Sequence, residues 1–367
     1  MKICIIHCFD TYEHRVDLLN DYFKAKGAEV TVITSDYMHF EKRKRTDKKE
    51  DFHYIKAIPY ASNLSLTRLW SHLRLSKNIF AKIESKEYDL LWVLIPPNCF
   101  VRDAASYKRK YKKTKLVFDV IDMWPETMPI AKFKDLPPFT YWQKLRDKYL
   151  NAADAIVTEC NLYQKKLPQT IDRKKIRTIY LARKLTPYQG KAELPQNRIS
   201  LCYLGSVNNI IDIPAAAQLI RKLNKKLPVD IHIIGDGEKR EEFVRECKSA
   251  GAAVMYHGKI YDAKEKQKIF DQCHYGLNIM KASVFVGLTM KSMDYFEAGL
   301  PVINNIHGDT WDIIEREKIG VNLKENITTS EILVYDAAMR ERVRRFFEIN
   351  LGEDTFQRKV KELLLEL

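Results

Sequence analysis

No two cysteines of this 367-residue chain are spaced as Cys-x-x-Cys, and the seven present (Cys4, Cys8, Cys99, Cys160, Cys202, Cys247, Cys273) are scattered and odd in number. That argues against a disulfide framework and against a zinc site; the set reads as reduced core thiols of a cytoplasmic protein. No apolar run reaches the roughly 20 residues that span a bilayer, and the opening MKICIIHCFD turns polar too early for a signal-peptide core. The expected chain is soluble or peripheral on a membrane. No Asp-x-Asp pair is present to hold magnesium or manganese on a diphosphate, so neither metal nor cofactor is expected. The full Gly-x-Gly-x-x-Gly fingerprint is missing too, as is any short-period repeat.

What is present is ordinary globular stock: 46% hydrophobic, 11% aromatic and 30% charged residues, in a length that favours two domains. The net charge of +14 asks for a polyanionic partner, and its densest runs are EKRKRTDKK (Glu41–Lys49) and KRKYKKTK (Lys108–Lys115). Each run alone also fits a solvated surface. No recognisable nucleic-acid module accompanies the charge, so nucleic acid is not the expected partner.

Strand-length apolar runs alternate with helix-length amphipathic stretches, the pattern of parallel sheets wrapped by helices. KICIIH, EVTVITS, DLLWVLI, KLVFDVI, AIVTE and IRTIY predict strands in the first half, with DFHYIKAIPY as an outer one. Helices are expected over Arg15–Lys26, Leu66–Glu84 and Tyr141–Asn151. The polar interval ARKLTPYQGKAELPQNR then has linker composition, after which ISLCYLG, DIHIIGDG, AVMYHG, YGLNIM and PVINN restart the pattern. The expected domains are 1–182 and 198–351, joined by a linker at 183–197, and a C-terminal helix over 352–367 has one apolar face to cover.

In open α/β sheets, ligands bind beyond the carboxyl ends of the strands. Gly205 and Ser206 follow one such strand, and a glycine there lets backbone approach a phosphate; a turn that needs glycine for its geometry alone is the other reading. Gly235 in IIGDG carries the same two readings. In VFVGLTMKSMDYFEAGLPVINN (Val284–Asn305), Gly287, Leu288, Thr289 and Met290 lead into a helix whose free amides suit an anion, and Lys291 adds a cation. Lys291 and Asp294 share a helix face, placing a phosphate cation beside a carboxylate suited to ribose hydroxyls, or simply forming a surface ion pair.

The segment Asp294-Tyr-Phe-Glu-Ala-Gly-Leu-Pro-Val302 resembles the second half of the donor motif of family 4 glycosyltransferases of GT-B fold, in their bacterial surface-polysaccharide branch. The resemblance covers most of the chain and implies two Rossmann-like, doubly wound domains facing across a cleft, with the C-terminal helix returning to the first. It implies a nucleotide diphosphate sugar donor of UDP, GDP or dTDP type and a saccharide acceptor, lipid-linked, at the inner face of the plasma membrane. It also implies metal-independent transfer that retains anomeric configuration. Asp294 takes the motif's second acidic position, and the first falls on Val286, which cannot accept a hydrogen bond from a sugar hydroxyl; Val286, Gly287 and Leu288 are the implied sugar contacts. His257-Gly258-Lys259-Ile260 resembles the loop that clamps the nucleobase, drawing Lys259 and Ile260 into the site.

FDVIDMWPETMP resembles the Asp-x-Trp-Pro-Glu stretch of the same branch. Asp122 is the candidate group to orient or deprotonate the acceptor, against a reading in which Asp122 and Glu126 cap the next turn. His14 is a second candidate base, and Glu159 is expected to cap a helix near the hinge. FEKRKR, LTRLWSHLRLSK and YKRKYKKTK interleave aromatic and basic residues as contact with anionic lipid requires, at about 1 kcal/mol per basic residue near the surface. A nucleotide-sugar 2-epimerase on the same fold and a noncatalytic sugar-nucleotide or membrane-binding partner are the alternatives.

Overall fold

The computed structural model describes residues 1–128, 135–185, 192, 194–324 and 329–367. The chain divides into two compact units, Met1–Ala182 with Glu353–Leu367, and Arg183–Gly352. Each is an α/β, Rossmann-like unit on a parallel sheet.

The first unit's strands are β1 (Lys2–Ile6), β2 (Glu29–Ser35), β3 (Tyr37–Met38), β4 (Arg43–Lys44), β5 (Phe52–Ile55), β6 (Leu90–Ile95), β7 (Lys115–Val120), β8 (Ala155–Thr158) and β9 (Ile176–Thr178). Its helices are α1 (Glu13–Ala25), α2 (Leu66–Ile83), α3 (Cys99–Lys110), α4 (Pro137–Asp147) and α5 (Asn161–Lys166). The described residues build a seven-stranded parallel sheet in the order β5-β2-β1-β6-β7-β8-β9, with Ile3 registered on Val30 and Leu90. β6 is the continuous apolar run LLWVLI because helices cover both faces of the sheet, leaving no solvated side to demand alternation.

DFHYIKAIPY does supply the outer strand, β5. Where a helix is expected over Tyr141–Asn151, α4 begins at Pro137, whose ring fixes φ for a first helical turn and lacks only an amide that would have no partner there. The run Glu41–Lys49 is not wholly solvated: β3 and β4 form an antiparallel hairpin within and beside it, Arg45 is buried on Glu13, and Lys49 reaches Asp17 at 2.5 Å. Lys108, Arg109 and Lys110 occupy the last turn of α3, where cations complement the helix dipole.

The C-terminal helix (Glu353–Leu365) buries Phe356, Val360 and Leu363 in the core that Val16, Leu19 and Phe23 of α1 share with the sheet. Beneath it, Arg15 forks onto Asp119 with Nε–Oδ2 at 2.8 Å and Nη2–Oδ1 at 2.9 Å, and the Trp92 indole donates to the same carboxylate at 3.0 Å. That bidentate pair, fully buried, ties α1 to β7.

The second unit holds β10 (Ile199–Leu204), β11 (Val229–Ile234), β12 (Ala253–Gly258), β13 (Tyr275–Asn278), β14 (Val302–Asn304) and β15 (Gly320–Asn322). Its helices are α6 (Ile213–Asn224), α7 (Arg240–Ser249), α8 (Ala263–Phe270), α9 (Met290–Glu297), α10 (Asp309–Glu317), α11 (Ser330–Leu333) and α12 (Ala338–Leu351). The described strands form a parallel sheet in the order β12-β11-β10-β13-β14-β15. Asp212 caps α6 and Asp262 caps α8, accepting from Ala215 N at 3.0 Å and Glu265 N at 2.8 Å.

Candidate functional site

In the second unit, the loops after β10, β11 and β12 are stitched in series: Gly205 N donates to Ile234 O at 2.9 Å, and Gly235 N to Gly258 O at 2.7 Å. Gly235 has φ +137°, and a Cβ there would stand 2.0 Å from Gly205 O. Its glycine is therefore demanded by backbone approach within the protein. Gly205, at φ +116°, is different: a Cβ on it would meet only Lys291 Cε, at 3.9 Å. The open side of Gly205 faces the lysine, while the Ser206 side chain is exposed.

Lys291 lies in the first turn of α9 with its Nζ 4.4 Å from the Tyr203 ring centroid. Among the described residues no carboxylate pairs with it. The i,i+3 pair with Asp294 does not form, because Asp294 Oδ1 takes Arg183 Nη1 at 2.7 Å and Lys266 Nζ at 3.5 Å. Burial pushes the Lys291 ammonium down to about 7. A cation at the positive end of a helix, partly desolvated and without a counter-ion, is unfavourable on all three counts until an anion arrives.

The Thr289 hydroxyl caps α9, accepting from Ser292 N at 3.1 Å, and is buried against Asn278 and Ser292, which leaves the amide expectation for this residue untouched. Its hydroxyl serves the fold; the amides of Met290 and Lys291 have no acceptor among the described residues. Asn278, Asn304 and Asn322 stand in register across β13, β14 and β15 and hydrogen-bond in a row, Asn278 Nδ2 to Asn304 Oδ1 at 3.0 Å and Asn304 Nδ2 to Asn322 Oδ1 at 2.8 Å. This buried ladder supports α9's first turn. Gly287 O accepts from Thr310 N at 2.9 Å and Thr310 Oγ1 at 2.8 Å, which fixes the loop of Val286, Gly287 and Leu288. Lys259 is exposed and Ile260 half-buried just beyond β12. Arg183, whose Nη1 also reaches Glu297 at 3.0 Å, falls in a stretch with linker composition, which hid it from sequence reasoning.

In the first unit, Asp122 stands just past β7. Its Oδ1 accepts from Met123 N at 2.7 Å and Thr127 Oγ1 at 2.5 Å, and its Oδ2 from Trp124 Nε1 at 2.8 Å. Burial raises its pKa, with those three donors and Arg68 opposing the rise. Two donors on Oδ1 and one on Oδ2 leave Oδ2 room for one more. Asp122 therefore orders its own turn and also lines a cavity of about 410 Å³ with Asn63, Leu64, Arg68, Trp124 and Met128.

Arg68 is the residue of this site that sequence reasoning passed over inside LTRLWSHLRLSK. Its guanidinium lies 4.1 Å over the Trp124 ring and donates to Asn63 O at 2.7 Å. An adjoining, largely apolar cavity of about 190 Å³ adds Leu66, Leu69, Pro138, Phe139 and Trp142. Leu66, Trp70 and Tyr141 are exposed on the same two helices, α2 and α4.

Glu126 does not cap a turn: it accepts from Arg146 Nη2 at 2.7 Å and Nη1 at 2.9 Å. His14 Nε2 lies 2.9 Å from Ala182 O, so that nitrogen donates to a carbonyl and no hydrogen bond joins the ring to Asp122 among the described residues. Glu159 does not cap a helix either, since Cys160 is the N-cap of α5. Its carboxyl is instead raised to about 8 by burial, with Asp122 and Asp119 adding to the rise and Arg15 opposing it.

Solved structures share this architecture. A sucrose-phosphate synthase from Thermosynechococcus elongatus superposes with a TM-score of 0.73 at 11% identity, over 100% of this chain and 98% of that one. HepE of Anabaena in complex with UDP gives 0.70 at 12% identity over 100% of both chains. WaaG, a glycosyltransferase involved in lipopolysaccharide biosynthesis, gives 0.65 at 11% identity over 100% of this chain and 99% of that one. The likeness establishes the GT-B glycosyltransferase fold for this chain. No family model matches the sequence, and none of the curated proteins does.

Proposed function

We propose that this chain is a glycosyltransferase of the family 4 type that carries a sugar from a nucleotide diphosphate sugar to a lipid-linked saccharide in bacterial surface-polysaccharide assembly. The observation that carries the reading is Lys291: a half-buried lysine at a helix N-terminus, facing the open side of Gly205, with no counter-ion among the described residues. A diphosphate supplies that counter-ion. As the sugar leaves, negative charge grows on the nucleotide, and a fixed cation with free amides beside it stabilises that charge without a metal. Asp294, with Oδ1 already held by Arg183, offers the ribose its other oxygen. HepE solved with UDP and with UDP-glucose supports a nucleotide-sugar donor on this fold.

The acceptor binds the first unit, where Asp122 Oδ2 takes the hydroxyl proton and Arg68 meets acceptor anions. The apolar cavity beside them, with exposed Leu66, Trp70 and Tyr141 on helices that also carry Arg74 and Lys77, suits a lipid-borne substrate at an anionic membrane surface. Transfer retains anomeric configuration, with the sugar lying against Val286, Gly287 and Leu288.

The test is calorimetry with UDP, GDP, dTDP and CMP and their sugars, with and without EDTA. One saturating nucleotide diphosphate, insensitive to EDTA and lost in Lys291→Ala, supports the reading. No binding to any of them sinks it. Binding without transfer or hydrolysis favours a noncatalytic partner, for which Val286 at an otherwise acidic position is the motivating observation.

A further inference from the structure

Beyond the proposed reaction, and independent of it, lies a cluster in the first unit behind the Asp122 cavity. Cys8 follows β1, His39 follows β3, and His72 sits in the middle of α2; all three are buried. Their ligand atoms, one from each residue, lie within 4.8 Å of one another. Cys8 Sγ is 3.2 Å from His39 Nε2, close to the edge of a tetrahedron of nitrogen and sulfur around zinc, about 3.5 Å for bonds of 2.0–2.3 Å.

His39 is oriented for this by its other nitrogen. Nδ1 is hydrogen-bonded to the Tyr60 hydroxyl, and Tyr60's carbonyl in turn accepts from Tyr37 Oη at 2.5 Å. An imidazole aimed at one partner by a hydrogen bond on its far side is how proteins orient histidine ligands. His72 is odder still: neither Nδ1 nor Nε2 has a hydrogen-bond partner among the described residues, although the ring is fully buried. A buried imidazole normally satisfies at least one nitrogen. Packing explains the ring, which stacks on Trp124 at 5.8 Å and 23°, but not the choice of histidine over phenylalanine.

We propose that Cys8, His39 and His72 bind a thiophilic divalent metal ion, zinc, which joins the loop after β1 to α2. Coordination replaces the Cys8 S–H bond by an S–metal bond, and the proton leaves to solvent. His72 closes on the ion through whichever nitrogen faces it, and three protein donors leave a fourth position for water.

The experiment uses the full chain, stripped with chelator and titrated with Co²⁺. Expected are one equivalent bound, visible bands of a tetrahedral site, a near-ultraviolet thiolate-to-cobalt band, and bleaching of all of them by one equivalent of Zn²⁺. Cys8→Ser removes the near-ultraviolet band. His72→Phe keeps an aromatic ring against Trp124 and lowers affinity by roughly tenfold or more, as does Tyr60→Phe through His39. Circular dichroism on each variant confirms a folded chain, and the Tyr60 variant decides the matter if Cys8→Ser does not fold. A thiolate band absent from the wild-type protein, or unchanged affinity in both His72→Phe and Tyr60→Phe, overturns the site.

Discussion

The Lys291 ammonium lies 4.4 Å from the centroid of the Tyr203 ring, with the open side of Gly205 facing its Cε, which a Cβ on that glycine would meet at 3.9 Å. The aromatic face offers a cation partial relief, worth about 0.5–2 kcal/mol, and leaves this half-buried ammonium without a carboxylate partner among the described residues. Its pKa is lowered by burial to about 7 from 10.5, with no carboxylate among the described residues to offset the shift.

A bound diphosphate raises this pKa again, so at pH 7–8 the complex takes up a proton that the free protein lacks. The heat of nucleotide binding should therefore change with the ionisation enthalpy of the buffer, and affinity should fall as pH rises above 7. Lys291→Met should abolish the buffer dependence and weaken binding roughly ten- to hundredfold, the worth of a charge-assisted contact of about 1.5–3 kcal/mol. For the free protein the sign is fixed by linkage. The folded pKa lies below the unfolded one, so stability rises with pH between about 7 and 10.5 in the wild type, and this component is missing from Lys291→Met. Heats that do not vary with buffer remove Lys291 from the phosphate site.

Arg183 Nη1 grips Asp294 Oδ1 at 2.7 Å and Glu297 at 3.0 Å, both half-buried. Arg183→Ala should loosen the carboxylate assigned to the ribose and weaken nucleotide binding about tenfold, or 1.4 kcal/mol, while proton uptake by Lys291 persists. Calorimetry in two buffers separates the effects. Full affinity in Arg183→Ala would show that Asp294 does not need its clamp.

Asp122→Asn preserves the size of the side chain but turns a base into an amide. Transfer should fall by about a hundredfold or more, the usual range for a positioned base, with nucleotide affinity unchanged because the donor is assigned to the other unit. Equal losses of affinity and turnover would instead mark Asp122 as scaffold, a role its three hydrogen bonds to its own turn already give it.

Much of this was legible beforehand, and unevenly. Strands such as LLWVLI and ISLCYL announce themselves because parallel sheets covered on both faces need unbroken apolar runs. The proposed anion site rests on a glycine, a helix start and a lysine that stand within one short segment of the sequence. What stayed hidden depends on distant pairing. Arg183 meets a carboxylate more than a hundred residues on. The asparagine ladder joins three strand ends that look unremarkable one at a time. Cys8, His39 and His72 share no local spacing, so the absence of Cys-x-x-Cys, from which no zinc site was expected, could not reveal their meeting. Glu159 was expected to cap the helix near the hinge; the chain instead makes Cys160 the N-cap.

The C-terminal helix is predicted to be indispensable to the first unit. Phe356 is buried among α1 residues and lies 5.2 Å from the Arg15 guanidinium. Phe356→Ala should destabilise that unit by about 3–5 kcal/mol and uncover the Arg15–Asp119 pair. Hydrogen exchange should register the loss at α1 and β7 and spare β10 and β11, each unit having its own core. Uniform loss across both units would show that they unfold together.

Glu159 offers the last test, on pH alone. Its folded pKa is raised to about 8, by burial first and then by Asp122 and Asp119, from an ordinary value of 4.5. Between those two values the folded chain holds a proton that the unfolded chain has released. Stability therefore falls as pH climbs from about 4.5 to 8, and the whole penalty is present above 8. Glu159→Gln, neutral at every pH, should melt close to wild type at pH 5 and distinctly above it at pH 9. Asp122→Asn should move the wild-type transition to lower pH by removing one of the two neighbouring carboxylates. Parallel melting curves for wild type and Glu159→Gln across this range would mean that Glu159 ionises freely, and that solvent reaches it.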